Sequence, residues 1–313
     1  MTILRKSLSL LALTLLVNTM NAQQDPQFNL GFFDFAYINP GYAGSNFDEL
    51  FSATALNRIE LTGFEGSPVS TIINCEGPVS FFGIESGVGL TMYNNQIGYL
   101  QAPGANLIYA YRHKINTGSL GVGFSAGIIS SWFSETTWRL PEGTGSDPFV
   151  PTQKEGVASF DAGLGAFYSH PRWYAGISCT HLTSPKLGIQ RFAQMKPTLY
   201  INGGYTFLID STTWAIKPML NLMSDFSTTS ISLAGTVWYE EKYWAGLAWR
   251  FQEAVIFMIG IDLFEGLKVA YAFDYATSKL SKFNNGTHEI MLNYSFSLSV
   301  PRGVQKYKSI RYL

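Results

Sequence analysis

The residues able to do acid–base or nucleophilic chemistry are few in this 313-residue chain: four histidines, two cysteines and an unusually small set of charges. His170 stands beside Pro171 in a turn sequence, and His113 stands close to another turn. His181 and His288 fall toward the opposite ends of their segments. A surface hydrolase could use them only with a nucleophile and base on one face. No Gly-x-Ser-x-Gly elbow or comparable motif flanks them. They read as scattered surface histidines, and no catalytic residue is assigned. No His, Cys and carboxylate group has metal-ligand spacing, so neither a metal nor a cofactor is expected. Cys75 and Cys179 fall on separate segments and read as two unpaired thiols on apolar surroundings. The glycine pairs Gly121-Val122-Gly123 and Gly163-Leu164-Gly165 do not form a phosphate loop. They are expected on an inner face, relieving crowding and allowing strand curvature.

The composition says what must position these residues. Charged residues make up 14% of the chain and aromatics 15%, with 30 glycines. Soluble domains carry roughly 25% charge. A mean hydropathy of +0.08 is too low for a helical membrane protein of this size. A net charge of −1 gives no sign of a nucleic-acid partner. Residues 1–22 read as a signal peptide: Arg5 and Lys6, then the apolar run Leu8 to Val17, then Asn21-Ala22 before Gln23. That run is shorter than the roughly 20 residues a spanning helix needs, and no later run approaches that length. If the chain crosses a membrane it must do so with strands, because only helices and closed barrels satisfy the backbone in lipid.

Strict alternation supplies the strands. Phe160, Ala162, Leu164 and Ala166 share one face against Ser159, Asp161, Gly163 and Gly165. Ile290, Leu292, Tyr294 and Phe296 oppose Glu289, Asn293 and Ser295. The fold class is therefore all-β: a transmembrane antiparallel up-and-down β-barrel of about 14 strands, as even-numbered bacterial barrels have. The predicted strands cover approximately 50–59, 68–77, 82–93, 103–113, 119–130, 157–169, 172–181, 198–209, 213–223, 229–239, 242–251, 254–263, 266–275 and 287–299. Tight turns, such as Gly77 to Phe81 and His170-Pro171, alternate with mostly longer connections, including 131–156, 182–197 and 276–286. That asymmetry places the tight turns and both chain ends in the periplasm and the long loops outside. Asp161, Lys217, Arg250, Asp262, Lys268, Asp274 and Glu289 should face the lumen, since a Lys or Arg at mid-depth in lipid costs about 2–4 kcal/mol. Pro218, on the lipid face, should mark a bulge or a weak point in the ladder.

The chain thus divides into the signal peptide 1–22, an N-terminal periplasmic or plug segment 23–49, the barrel 50–299, and a basic periplasmic tail 300–313. The segment 23–49 is aromatic without a period and could plug the lumen or lie along the periplasmic rim. The tail carries Arg302, Lys306, Lys308 and Arg311 beyond the last strand, which invites a partner.

Several stretches resemble the PorP/SprF family. They are Gln24-Asp25-Pro26-Gln27-Phe28, then Ile38-Asn39-Pro40-Gly41-Tyr42-Ala43-Gly44-Ser45, then Tyr111-Arg112-His113. Near the end come Phe273-Asp274-Tyr275, Ser278-Lys279-Leu280-Ser281, Asn285-Gly286-Thr287-His288-Glu289-Ile290, and Ser309-Ile310-Arg311-Tyr312-Leu313. The resemblance implies a non-enzymatic outer-membrane barrel of the type IX secretion system of the Bacteroidota, supporting export or surface anchoring of secreted adhesins, as in gliding. It implies as partners the periplasmic and lipoprotein components of that system and a large adhesin or other cargo protein, with outer-membrane lipids around the barrel. Asn39, Pro40 and Tyr42, together with the four basic residues of the tail, are the candidate partner-binding residues. A general diffusion porin or small-molecule channel is the alternative.

Overall fold

The structure is a computed structural model that describes residues 25–46, 50–63, 65–133, 156–187, 193–210, 213–264, 266–277 and 284–298. The signal peptide, the outer part of the 131–156 connection and the basic tail with Arg302, Lys306, Lys308 and Arg311 lie outside the described residues.

Alternation over ten or more residues forces each segment into a strand, and the strands close on one another. We number them β1 Phe51–Ile59, β2 Val69–Phe81, β3 Ile84–Ile97, β4 Leu100–Ile115, β5 Gly118–Phe133, β6 Gly156–His170 and β7 Trp173–Thr180. β8 comes in two pieces, Thr198–Tyr205 and Phe207–Asp210. Then follow β9 Trp214–Ser224, β10 Thr229–Tyr239, β11 Tyr243–Arg250, β12 Ala254–Phe264, β13 Leu267–Ala276 and β14 Thr287–Phe296. Every neighbour is antiparallel, and β1 pairs with β14 from Phe51↔Phe296 to Ile59↔His288. The result is a closed barrel of fourteen strands.

Closure leaves no sheet edge in lipid. The outward positions are apolar and exposed, among them Leu107, Phe124, Leu164, Leu247 and Ile259. Aromatic side chains ring both ends: Phe82, Trp173, Trp214 and Tyr243 by the tight turns, Tyr99, Trp249, Phe251 and Tyr275 by the loops. Such girdles mark the two membrane interfaces. The inward positions include the buried Asp161, Arg250, Asp274 and Glu289, as expected. Lys217 lies over the ring of lumenal Trp238 at 3.7 Å, and Lys268 pairs with Asp262 at 3.6 Å.

Prolines explain where the ladder departs from expectation. β2 runs on through Gly77–Phe81, where a turn was expected, and the turn is Phe82-Gly83. Pro78 lies beyond the end of the β1–β2 ladder at Ser52↔Glu76, so on that side no partner strand needs its N–H, while β3 still pairs with it at Gly87. β4 likewise begins at Leu100, before Pro103, and its pairing with β5 is absent between Gln101↔Trp132 and Gly104↔Ile129. The β3–β4 connection shrinks to Gly98-Tyr99, so not every loop-end connection is long. Pro218 makes no bulge against β10, where the register continues through Pro218↔Gly235. The break falls on its other side. β8 pairs with β9 up to Gly204↔Met219 and resumes at Phe207↔Ile216.

Pro218→Val supplies the absent donor while keeping an apolar side chain toward lipid. It should add about 1 kcal/mol, the net worth of one hydrogen bond. A higher urea midpoint for the refolded barrel checks this; an unchanged or lower midpoint would show the break has another cause.

Candidate functional site: a polar-clamped segment inside the barrel

Residues 25–46 lie inside the barrel. The stretch is too short of period to add a strand, and its two 3₁₀ turns, Leu30–Phe33 and Pro40–Tyr42, fold it back within the lumen. Phe28, Leu30 and Phe32 are buried against Leu56, Ile256, Met258 and Met291 of the wall. Phe33 packs on Trp244 at 4.5 Å between ring centroids, and Phe35 on Phe167 and Tyr174 at 5.7 and 5.3 Å. Removing each such side chain from a wet lumen contributes about 1.5–3 kcal/mol.

A charge cluster clamps the first part of the segment. Glu289, fully buried, accepts from the backbone N–H groups of Asn29 at 2.9 Å and Leu30 at 2.8 Å. Arg58 bridges Glu289 at 3.1 Å and Asp274 at 2.9 Å, and its Nε reaches Glu60 at 3.0 Å. The Asn29 amide donates to Asp274 and accepts from Arg250 at 2.6 Å. These groups come from β1, β11, β13 and β14. Such charges are tolerable only when paired and hydrogen-bonded, because isolated burial is prohibitive.

The second part rests on a glycine bed. A Cβ on Gly41 would sit 2.8 Å from the Gly121 carbonyl oxygen and 2.9 Å from both the Gly165 carbonyl oxygen and the Phe167 backbone nitrogen. The lumenal glycines of β5 and β6 therefore do relieve crowding, but the crowding comes from this segment. Asn39 is wholly buried; its Oδ1 accepts from Gly41 N–H at 3.0 Å and its Nδ2 donates to the Ala166 carbonyl at 3.1 Å. Arg112 donates to the carbonyls of Gly41 and Ala43 at 3.3 and 3.0 Å. Glu76 accepts from Gly44 N–H at 2.6 Å. Asn39, Pro40 and Tyr42 thus have the barrel wall as their neighbours, and Tyr42 stacks edge-on to Phe167 at 5.1 Å.

His181 corrects the surface-histidine expectation. It is buried just past β7, with Nε2 3.0 Å from Asp25 and Nδ1 2.8 Å from Asp161. The Nδ1 contact is close enough to pair charge but poorly aligned for a hydrogen bond, since that nitrogen has no hydrogen-bonding partner. Tyr200 donates to Asp25 at 2.8 Å. Burial alone would lower the histidine's proton affinity; Asp25 and Asp161 outweigh it and raise its pKa to about 10. Burial works against the Asp25 carboxylate, and His181 with Tyr200 more than offsets it, leaving its pKa lowered. Both ring nitrogens face carboxylates, so the arrangement latches the start of the internal segment to β6 and the end of β7. His288 bonds Tyr271 through Nδ1 at 2.6 Å. Cys75 and Cys179 are free, on β2 and β7. Among the described residues, no group of three or more His, Cys, Asp and Glu is placed to hold a metal.

Nothing in the local periodicity announced the segment's place. The signal was in the inward charges: Arg58, Asp274 and Glu289 needed partners, and Asn29 with the 29–30 backbone supplies them. A chamber of about 740 Å³ lies at the turn end, bounded by Ser45, Glu85, Arg112 and Lys114. One of about 270 Å³ lies at the loop end, bounded by Asp25, Arg58, Glu60, Arg250 and Glu253. They share no lining residue.

A closed antiparallel barrel with lipid-type outer face, aromatic girdles and an internally clamped segment is an outer-membrane type of protein. Over residues 20–294 the chain matches the family described as type IX secretion system membrane protein PorP/SprF, and it belongs to that family. No curated protein matches it. Among solved structures it is similar to outer membrane protein Omp33 of Acinetobacter baumannii, at 11% identity and a TM-score of 0.45, over 79% of this chain and 97% of that one. The toluene transporter TbuX of Ralstonia pickettii shares 11% identity at a TM-score of 0.47, over 85% and 92%. The KdgM porin shares 12% at 0.38, over 79% and 99%. At these values the likenesses say nothing about what passes through or binds to this chain.

Two outcomes follow from the clamp. Arg58→Ala leaves Asp274 and Glu289 buried without their bridging cation and should cost about 3–5 kcal/mol, read as a lower urea midpoint. The latch gives a pH dependence. His181 has a folded pKa raised above 6.5, so its stabilisation is full below about 6.5 and lost as pH rises through about 10. Asp25, with its pKa lowered, stabilises above the ordinary aspartate value of 3.8 and loses that as pH falls further. Thermal unfolding followed against pH should fall off at both ends, and His181→Asn should remove the alkaline fall.

Proposed function

We propose that this protein is a non-enzymatic outer-membrane component of the type IX secretion system that acts as a docking platform for export or surface anchoring of cargo, gliding-type adhesins included. Family membership supports the system. The observation that favours a platform over a diffusion pore is the lumen occupied by residues 25–46, held by Glu289, Arg58 and Arg112. A general porin needs that space for solute. On this reading the chain is exported through a cleaved signal peptide, with tight turns in the periplasm and loops outside. Docking falls to the basic tail, where Arg302, Lys306, Lys308 and Arg311 offer charge to periplasmic or lipoprotein components. Asn39, Pro40 and Tyr42 act indirectly, by seating the internal segment that leads into β1.

Purified protein in planar bilayers should conduct little, and deletion of 25–46 should open large steady channels. A large conductance of the intact protein, with normal secretion when the gene is lost, favours the porin reading instead. Detergent pull-down should recover a secretion component or a large adhesin, and removal of 300–313 should lose the periplasmic one.

A further inference from the structure

The direction in which residues 25–46 cross the lumen has a consequence for where the chain begins. Asp25 bonds His181, the first residue beyond β7, and Tyr200, the third residue of β8, both at the loop end. Gln27 accepts from Ser230, the second residue of β10, and its carbonyl faces Arg250, the last residue of β11, at 3.5 Å. These too are loop-end positions. By contrast, Gly44 touches Gly87 and Pro78, near the Phe82-Gly83 tight turn, and Ser45 lines the turn-end chamber. The segment therefore enters at the loop end and leaves at the turn end, where β1 begins. Asp25, Pro26 and Gln27 are only partly covered, and all three line the loop-end chamber, whose rim carries the half-exposed Glu253.

We infer that the start of the mature chain is presented at the outer face of the membrane. The internal segment is then a tether running through the barrel, with one end offered to the cell surface and the other joined to β1 on the periplasmic side. The inferred placement departs from the expectation that both chain ends lie in the periplasm. It rests on the sidedness proposed above. The two residues between the expected cleavage point and Asp25 span at most about 7 Å, enough to reach the chamber mouth and too little to return through the barrel. A surface partner, the cargo class proposed above, can reach this end without entering the lumen.

The test uses the full chain in cells, with Cys75→Ser and Cys179→Ser to remove background. Gln24→Cys and Asn116→Cys, the latter in the β4–β5 tight turn, are each treated with a membrane-impermeant maleimide. Unboiled gel migration confirms that each variant has folded. The inference expects labelling at 24 in intact cells, and at 116 only after the outer membrane is permeabilised. Labelling of both under the same condition, or of 24 under neither, overturns it. Labelling of 116 in intact cells with 24 protected until permeabilisation overturns the proposed sidedness, and with it the surface placement, while leaving the two positions at opposite ends.

Discussion

Fourteen strands closed into a ring enclose more space than their own inward side chains can fill. Barrels of about eight strands fill themselves, and those of about sixteen leave a water channel. This chain lies between those limits, and the rest of its organisation follows from that. The wall carries glycine under Gly41 and large side chains where Phe28 to Phe33 pack. Charges that would be intolerable in an apolar interior are placed where the segment can hydrogen-bond them. Glu289 is the centre of this arrangement. It meets two backbone donors of the segment and the guanidinium of Arg58 at once.

Much of the architecture was legible from alternation. Phe160 and Leu164 against Asp161, or Ile290 and Leu292 against Glu289, specify a sheet apolar on its outer face, and only closure makes such a sheet stable in lipid. The inward charges were legible for the same reason. The turn positions were less so. A turn was expected over Gly77 to Phe81 and a strand only from 103, whereas β2 continues through Pro78 and β4 begins at Leu100; each proline lies where the ladder on one side has ended or lapsed while β3 still pairs on the other. His181 was misread because its partners, Asp25 and Asp161, are far away in sequence. A pairing of that kind is set by the path of the segment through the lumen, and no local pattern encodes that path.

Among the described residues, several stretches that carry the family resemblance acquire a common physical meaning. Asp274, from Phe273-Asp274-Tyr275, and Glu289, from Thr287-His288-Glu289, hold Asn29. Arg112, from Tyr111-Arg112-His113, holds the carbonyls of Gly41 and Ala43 in the second N-terminal stretch. Asp25, from the first, sits on His181. Stretches distant in sequence therefore meet on one object. What looks like scattered motifs along a barrel is the two halves of a single lock.

The glycine bed under Gly41 acts as a register mark. The wall there, made by Gly121, Gly165 and the Phe167 backbone, leaves room for a hydrogen atom and no more. Sliding the segment by one residue in either direction would bring the Pro40 ring or the Tyr42 phenol onto that spot, and neither fits. Apolar packing around Phe28 to Phe35 is tolerant of small displacements, as apolar contacts are non-directional. The bed is not. It sets the segment's position along its axis to within one residue, and so fixes how much chain is paid out at each end of the barrel.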